Sequence, residues 1–134
     1  MKVLTLENLK EVKDIQVKSL DIEEWGAKAY FKELTMSEQA KVAPYAPLFI
    51  KKINEDGSVE LARTEEAERA FSEFKLLTVG MSLCDENGAR LLKDDEIKEA
   101  LGSKNPDVIL KIFNERGKLF EKKSLTKTED SGTD

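Results

Sequence analysis

The sequence contains no histidine, the residue that most often serves as a general base near neutral pH and as a metal ligand. Its absence excludes Ser-His and Cys-His mechanisms within this chain. The single cysteine, Cys84, cannot form an internal disulfide. Asp85 and Glu86 follow it, and their charges disfavour a reactive thiolate, so we interpret Cys84 as a buried structural thiol. We predict that the protein is not an enzyme and has no catalytic residue.

Ligand spacings typical of metal and phosphate sites are also missing. The acidic turns at 54–57 and 85–88 resemble calcium loops superficially, but neither has alternating oxygen ligands followed by a glutamate at the end of a twelve-residue loop. The glycine at Gly117 precedes a lysine but has neither the upstream glycine nor the following Ser or Thr of a P-loop. We therefore expect no cofactor and no metal ion.

Long apolar runs and clustered basic residues are absent as well. No stretch approaches the roughly eighteen consecutive apolar residues of a membrane-spanning helix, and the first residues do not form a secretion leader. The net charge is −5 and is spread along the chain, whereas nucleic-acid binding depends on concentrated Lys and Arg. We expect a soluble cytosolic protein that binds neither membranes nor nucleic acid.

Length and composition indicate one domain. A chain of 134 residues with 40% hydrophobic content can form a single core of moderate size. The segment 121–134 contains one leucine among polar residues, which is too little apolar surface to offset the entropy of ordering it. We expect a folded domain at 1–120 and a flexible polar tail at 121–134.

The N-terminal half alternates between helical and strand patterns. Leu6 and Leu9, with their apolar neighbours, fit one side of a short helix, although residues 1–6 could equally be extended. Apolar residues then alternate around Val17 and again from Ala27 to Phe31, which predicts an antiparallel hairpin. Trp25 is expected to close one end of the core. Three further signals follow: a capping box at Thr35, prolines at Pro44 and Pro47, and a turn at 54–58 before Val59, Glu60 and Leu61.

The C-terminal half is predicted to be helical. An apolar stripe runs from Ala67 through Phe74 and Met81 to Cys84, and a face packed in a small domain explains it better than a coiled coil. A turn at 85–88 follows it. We then expect Asp94 to be the N-cap of a short helix, Gly102 to be its left-handed C-cap, Asn105 and Pro106 to begin another helix, and Gly117 to end or weaken that helix. The predicted fold is α+β and predominantly α-helical, with a small N-terminal antiparallel β-hairpin packed against a helical C-terminal half.

This order of elements resembles the tail assembly chaperones of long-tailed, siphovirus-type bacteriophages. The N-terminal part of the resemblance consists of Trp25 and Gly26, the alternating strand after them, and the helix start at Leu34 and Thr35. In its C-terminal part an apolar helix runs into an Asp-x-x-Gly turn at 85–88, followed by an acidic-capped helix and a last helix at 108–114. The resemblance covers residues 20–114.

The resemblance implies a non-enzymatic protein of the host cytoplasm that is absent from the mature virion. Such a chaperone binds the tape measure protein and keeps it soluble while the tail tube polymerises around it. The family often makes a longer form by programmed ribosomal frameshifting, and this form is thought to bring in the tail tube protein. The amino-acid sequence itself cannot show a frameshift site.

Exposed apolar side chains would form the client-binding surface. The candidates are whatever remains exposed of Phe31, Tyr45, Phe49 and Ile50, although each could instead be a core residue. The same kind of surface, and the stripe that begins at Ala67, could be shared between protomers, so we also expect a homo-oligomer.

Two other classes of protein fit this composition. A structural tail or head-tail connector subunit of a phage virion is the main alternative, because such subunits are also small, acidic, histidine-poor and oligomeric. A bacterial regulatory or adaptor domain is the third. Neighbouring genes for tube and tape measure proteins would argue against that last class.

Overall fold

A computed structural model describes residues 2–121 of the chain. Helices predominate among these residues, and the predicted α+β fold class is confirmed. The helices are α1 (Leu6–Glu11), α2 (Met36–Val42), α3 (Ala46–Phe49), α4 (Glu65–Ser82), α5 (Ile97–Leu101) and α6 (Pro106–Leu119). The strands are β1 (Val17–Ile22), β2 (Ala27–Lys32), β3 (Ile50–Ile53), β4 (Val59–Leu61) and β5 (Leu83–Cys84). The predicted polar tail lies outside the described residues except for Glu121.

The predicted N-terminal hairpin is present and carries a third strand. Strands β1 and β2 pair antiparallel, with Val17 opposite Lys32 and Ile22 opposite Ala27. A short 3₁₀ turn, Glu23–Trp25, and Gly26 at a φ of +60° connect them. Strand β5 then pairs with β2 on its other side. The sheet order is therefore β1-β2-β5.

The strand β5 corrects the prediction that the long helix extends to Cys84. Cys84 continues the helical spacing of the apolar residues, but α4 ends at Ser82. Leu83 has an extended backbone, with φ −68° and ψ 123°, and lies opposite Phe31 of β2. Pairing with the sheet edge therefore determines where α4 ends. The helical spacing of apolar residues in the sequence does not reveal this end point.

One face of the sheet packs against the helical half, as predicted. Phe31 of β2 and Val79 of α4 are both almost completely buried there, and the half-buried Trp25 packs against the same core. The buried residues of this main core are Ile22, Phe31, Val42, Val79, Met81, Ile97, Leu101, Ile109 and Ile112.

The predicted helix starts and turns are largely confirmed. Thr35 and Glu38 form the capping box of α2, in which the Thr35 hydroxyl accepts from the Glu38 N–H at 3.2 Å. Asn105 caps α6 and Pro106 is its first residue. The turns at 54–58 and 85–88 contain glycines with φ near +90°. These features depend on neighbouring residues, which is why the sequence predicts them.

Three predictions about helix ends were wrong. Lys93, rather than Asp94, precedes the first helical turn, and the Asp94 carboxylate pairs with Lys41 and Arg90. Gly102 has a right-handed φ of −64°, and a Cβ at this position would overlap the Lys98 carbonyl oxygen. Gly117 does not end α6, since the helix continues to Leu119, and the prediction that it weakens the helix stays untested.

A buried ion pair fixes α2 against the sheet. The ammonium group of Lys32, on β2, pairs with the carboxylate of Glu38, and both side chains are more than nine-tenths buried. Arg90 approaches the same carboxylate at 3.4 Å. Burial raises the pKa of Glu38. Hydrogen bonds from Lys32 and from the Thr35 N–H lower this pKa, as do the positive charges of Lys32 and Arg90, and these effects outweigh burial. The net pKa of Glu38 is lowered from its ordinary 4.5.

None of the helices within residues 2–121 combines the length and the apolar character needed to cross a lipid bilayer.

We predict that Glu38→Gln destabilises the protein at neutral pH by about 3 kcal/mol, because it leaves the Lys32 ammonium buried without a counter-charge. A carboxyl whose pKa is lowered on folding stabilises above its unfolded pKa, and this stability is lost as the pH falls through the folded pKa. Wild-type stability should therefore fall as the pH drops below 4.5, and the variant should show a flatter curve there. Chemical denaturation at several pH values measures this.

The matched control is Glu24→Gln, which removes the exposed pair between Glu24 and Lys111. It should leave the melting temperature nearly unchanged, because exposed pairs contribute little. Equal effects of the two substitutions would contradict the importance that we assign to burial.

We predict opposite effects for alanine at two helical glycines. A Cβ on Gly80 would lie 2.6 Å from Cγ2 of Ile97, whose side chain is fully buried. Overpacking costs roughly 1–3 kcal/mol, which exceeds the gain in helix propensity, so Gly80→Ala should be net destabilising. Gly117→Ala meets no atom within 4 Å and should stabilise by about 0.5–1 kcal/mol. Stabilisation by both substitutions would show that the Gly80 contact is loose.

Candidate functional site

The four candidate binding residues occupy different environments. Phe31 is fully buried in the main core, so its side chain does not contribute to the surface. Phe49 is also buried, whereas Tyr45 and Ile50 are half-buried. Tyr45, Phe49 and Ile50 come together around the start of the β3–β4 hairpin, and Phe31 lies apart from them. Only Tyr45 and Ile50 therefore retain accessible surface, and their role in binding stays a prediction.

A small aromatic cluster supports the β3–β4 hairpin on α4. The ring of Phe49 lies 4.9 Å from that of Phe71 and 5.2 Å from that of Phe74, measured between centroids. Phe113 of α6 meets both α4 rings edge-on, at 6.1 and 5.9 Å. This cluster closes over Ala67 and Ala70, which are small enough for α3 to approach α4 closely. Phe49 is therefore a packing residue that positions the hairpin.

An open groove lies between β4 and the first half of α4. Its volume is about 730 Å³, and we call it the hairpin groove. Val59 and Leu61 are 45% and 42% exposed, and they lie two residues apart on β4, so they face the same side. The residues that line the groove are Phe49, Lys51, Val59, Glu60, Leu61, Ala62, Arg63, Ala67, Glu68 and Phe71. Its apolar side chains are surrounded by charges of both signs.

The sequence interpretation placed Val59 and Leu61 after a turn but did not select them as binding residues. Their alternation with Glu60 was the available signal, because a strand of this pattern has one apolar side. The decisive fact is that the apolar side remains uncovered here. A single sequence cannot show which apolar faces remain exposed.

Cys84 lies in the sheet and is almost completely buried. Burial raises the pKa of its thiol, and the charge of Asp85 adds to the rise against the opposing charge of Lys32. The arrangement agrees with the interpretation of Cys84 as a structural thiol.

No protein-family model matches the chain, and no match was found among curated proteins. Among solved structures, the chain is similar to the tail assembly chaperone of bacteriophage HK97, with a TM-score of 0.52 and 12% sequence identity. The similarity covers 75% of this chain and 84% of that chain. The two proteins share a fold. At this identity the comparison confirms the resemblance inferred from the sequence at the level of the fold.

We predict that Phe49→Ala destabilises the protein by about 3 kcal/mol, because it removes a buried ring and leaves a cavity beneath the hairpin. Ile53→Ser, on the neighbouring strand but 66% exposed, should change stability by less than about 0.5 kcal/mol. Urea denaturation of both variants measures the difference. A mild effect of Phe49→Ala would return Phe49 to the list of candidate binding residues.

Proposed function

We propose that this protein is a phage tail assembly chaperone, a binding protein without turnover that covers apolar faces of the tape measure protein before the tail tube forms. The observation that carries the proposal is the fold shared with the HK97 chaperone over three-quarters of the chain. In this proposal the protein acts in the host cytoplasm and is absent from finished virions. A longer frameshifted form would recruit the tail tube protein, and the chaperone would act as a homo-oligomer.

The hairpin groove is the surface that we assign to the client. A long helical protein awaiting assembly presents apolar stripes, and a groove with an apolar floor and a charged rim accepts such a helix. Val59 and Leu61 provide the exposed apolar contact, beside the half-buried ring of Phe71. Lys51 and Glu68 provide rim charges of opposite sign, which can orient an amphipathic helix.

Contacts on both sides of the hairpin also support the hairpin groove. Phe49 and Phe71 hold the hairpin against α4, and the Ala62 N–H donates to the Phe49 carbonyl at 2.9 Å. At the tip, the Asp56 carboxylate accepts from the Ser58 N–H at 2.9 Å, which keeps the turn closed. A preformed site loses less conformational entropy when the client binds.

The test is co-expression of the chain with the tape measure protein of the same locus. We expect the tape measure protein to become soluble and to co-purify. The double variant Val59→Asp, Leu61→Asp should weaken the complex at least about tenfold, because it places charges on the apolar floor. Leu91→Asp, at a residue that is 56% exposed outside the groove, is the matched control and should bind like wild type.

The outcomes separate the function from the site. A tape measure protein that still aggregates beside the wild-type chain would contradict the chaperone function and favour a structural tail or connector subunit. Mass spectrometry of purified virions tests that alternative directly, because a chaperone should be missing from them. Unchanged binding by the double variant would instead contradict only the assignment of the hairpin groove.

A further inference from the structure

A second groove lies beside the C-terminal part of α6. Its volume is about 620 Å³, and most of its wall comes from α2, α4 and α6, so we call it the α6 groove. Leu34, Phe74, Phe113 and Phe120 line it and are half-buried, so each leaves part of its apolar surface exposed. The α6 groove and the hairpin groove have no lining residue in common. A ligand in one groove therefore need not displace a ligand in the other.

Gly117 lies in the α6 groove, and no contact within the described chain requires a glycine there. It is exposed within α6, where glycine lowers the helix propensity, and its φ is not positive. A Cβ at this position would meet no atom within 4 Å. The missing side chain keeps the groove open and lets another molecule approach the α6 backbone closely. The other described glycines have internal reasons: Gly26, Gly57 and Gly88 have a positive φ, and a Cβ on Gly80 or Gly102 would overlap Ile97 or Lys98.

The rim of the α6 groove carries acidic charge. Asp14 is exposed there, and the Glu33 carboxylate accepts from the Gln16 N–H at 2.9 Å. Among the described residues, Arg116 is the only basic one in the lining, and its Nη2 donates to the Lys32 carbonyl at 3.1 Å. This hydrogen bond anchors Arg116 to β2. A ligand that combines apolar side chains with a lysine or an arginine therefore complements the groove.

The walls of the α6 groove favour a helical ligand. None of its lining residues, all within the described chain, belongs to a strand, so the groove has no strand edge that could pair with an extended segment. A helix forms its own backbone hydrogen bonds and needs only side-chain contacts. We propose that the α6 groove binds an amphipathic helix of another protein. The apolar side of that helix packs over Phe113 and Gly117, and its basic residues face Asp14 and Glu33.

The α6 groove and the hairpin groove would select different helices. The hairpin groove has rim charges of both signs, such as Lys51 and Glu68, whereas the rim of the α6 groove is acidic. The ligand of the α6 groove is defined by its chemistry alone. The inference therefore does not depend on the proposed function, and a tape measure protein that fails to bind would leave it unchanged.

Binding of a synthetic helix, followed by fluorescence anisotropy at physiological ionic strength, is the first test. The probe is a labelled amphipathic peptide of leucine and lysine, about 18 residues long so that it can form a helix on its own. A comparison peptide carries glutamate in place of lysine. The wild-type chain should bind the lysine peptide at least about tenfold more tightly, because only this peptide complements the acidic rim. Equal affinities, or no binding of the lysine peptide, would overturn the proposal.

The substitution Gly117→Leu tests where the peptide binds. The added side chain should occupy the groove and weaken binding of the lysine peptide at least about tenfold. The melting temperature should not fall, because leucine has the higher helix propensity and its Cβ meets no atom within 4 Å. Ser72→Leu is the matched control, since Ser72 is also exposed on a helix but lies outside both grooves, and it should bind like wild type. Wild-type affinity of Gly117→Leu would contradict the site.

Reversal of one rim charge tests recognition without filling the groove. Asp14→Lys should weaken binding of the lysine peptide by about threefold or more, because the exposed carboxylate no longer attracts it. Glu55→Lys changes the net charge equally at the tip of the β3–β4 hairpin, where Glu55 is exposed outside both grooves. It should have a smaller effect. Equal effects of the two variants would show that only net charge attracts the peptide and would overturn the proposal.

Two further measurements exclude other occupants. The double variant Val59→Ser, Leu61→Ser removes apolar surface from the hairpin groove and should still bind the lysine peptide. Lost binding by this variant would place the peptide in the hairpin groove and contradict the assignment. Analytical ultracentrifugation of Gly117→Leu without peptide should give the wild-type mass. A lower mass would show that a second copy occupies the α6 groove, and the proposal would be wrong.

Discussion

The rest of the structure depends on α4, because this helix packs against two separate groups of side chains. Its C-terminal half, with Val79 and Met81, forms the centre of the main core. Its N-terminal half, with Ala67 and Ala70, forms the floor beneath α3 and the β3–β4 hairpin. Phe74 contacts both groups. Because one continuous helix supports both, the position of the hairpin groove is fixed by the same packing that closes the core.

Small residues and one buried ion pair make this arrangement specific. Gly80 allows the side chain of Ile97 to contact the α4 backbone, which sets the distance between α4 and α5. Lys32 and Glu38 connect β2 to the first turn of α2, and Glu38 also accepts from the Thr35 N–H. Removing two charges from water is costly, so a buried pair is weak evidence for added stability. We interpret the pair as the element that specifies where α2 lies on the sheet.

The accuracy of the sequence-based predictions follows the range of the interactions involved. Thr35, Asn105 and the turn glycines satisfy backbone requirements within a few residues, and these predictions were confirmed. The strand at Leu83–Cys84 was missed because pairing with Phe31, more than fifty residues away, overrides a helical apolar period. Asp94 was predicted to be an N-cap, but its carboxylate pairs with Lys41 and Arg90 instead. These pairings depend on the fold, so the local sequence does not show them.

The candidate site was harder to predict than the fold for a related reason. Apolar residues in a sequence indicate that a face will be covered, but they do not show whether this chain or another protein covers it. Phe49 and Leu61 are both apolar residues of the same region, yet one is buried against α4 and the other remains on the surface. The helical pattern at Leu6 and Leu9 was recognised, but its exposure required the complete packing of the described residues.

The limited connection of the β3–β4 hairpin to the molecule has an evolutionary consequence. The hairpin pairs with itself, attaches through α3 and the Phe49 ring, and contributes no strand to the β1-β2-β5 sheet. Its length and its outward side chains can therefore diverge without disturbing the main core. A lineage of proteins with this fold could vary the hairpin while α4, the sheet and α6 keep their packing.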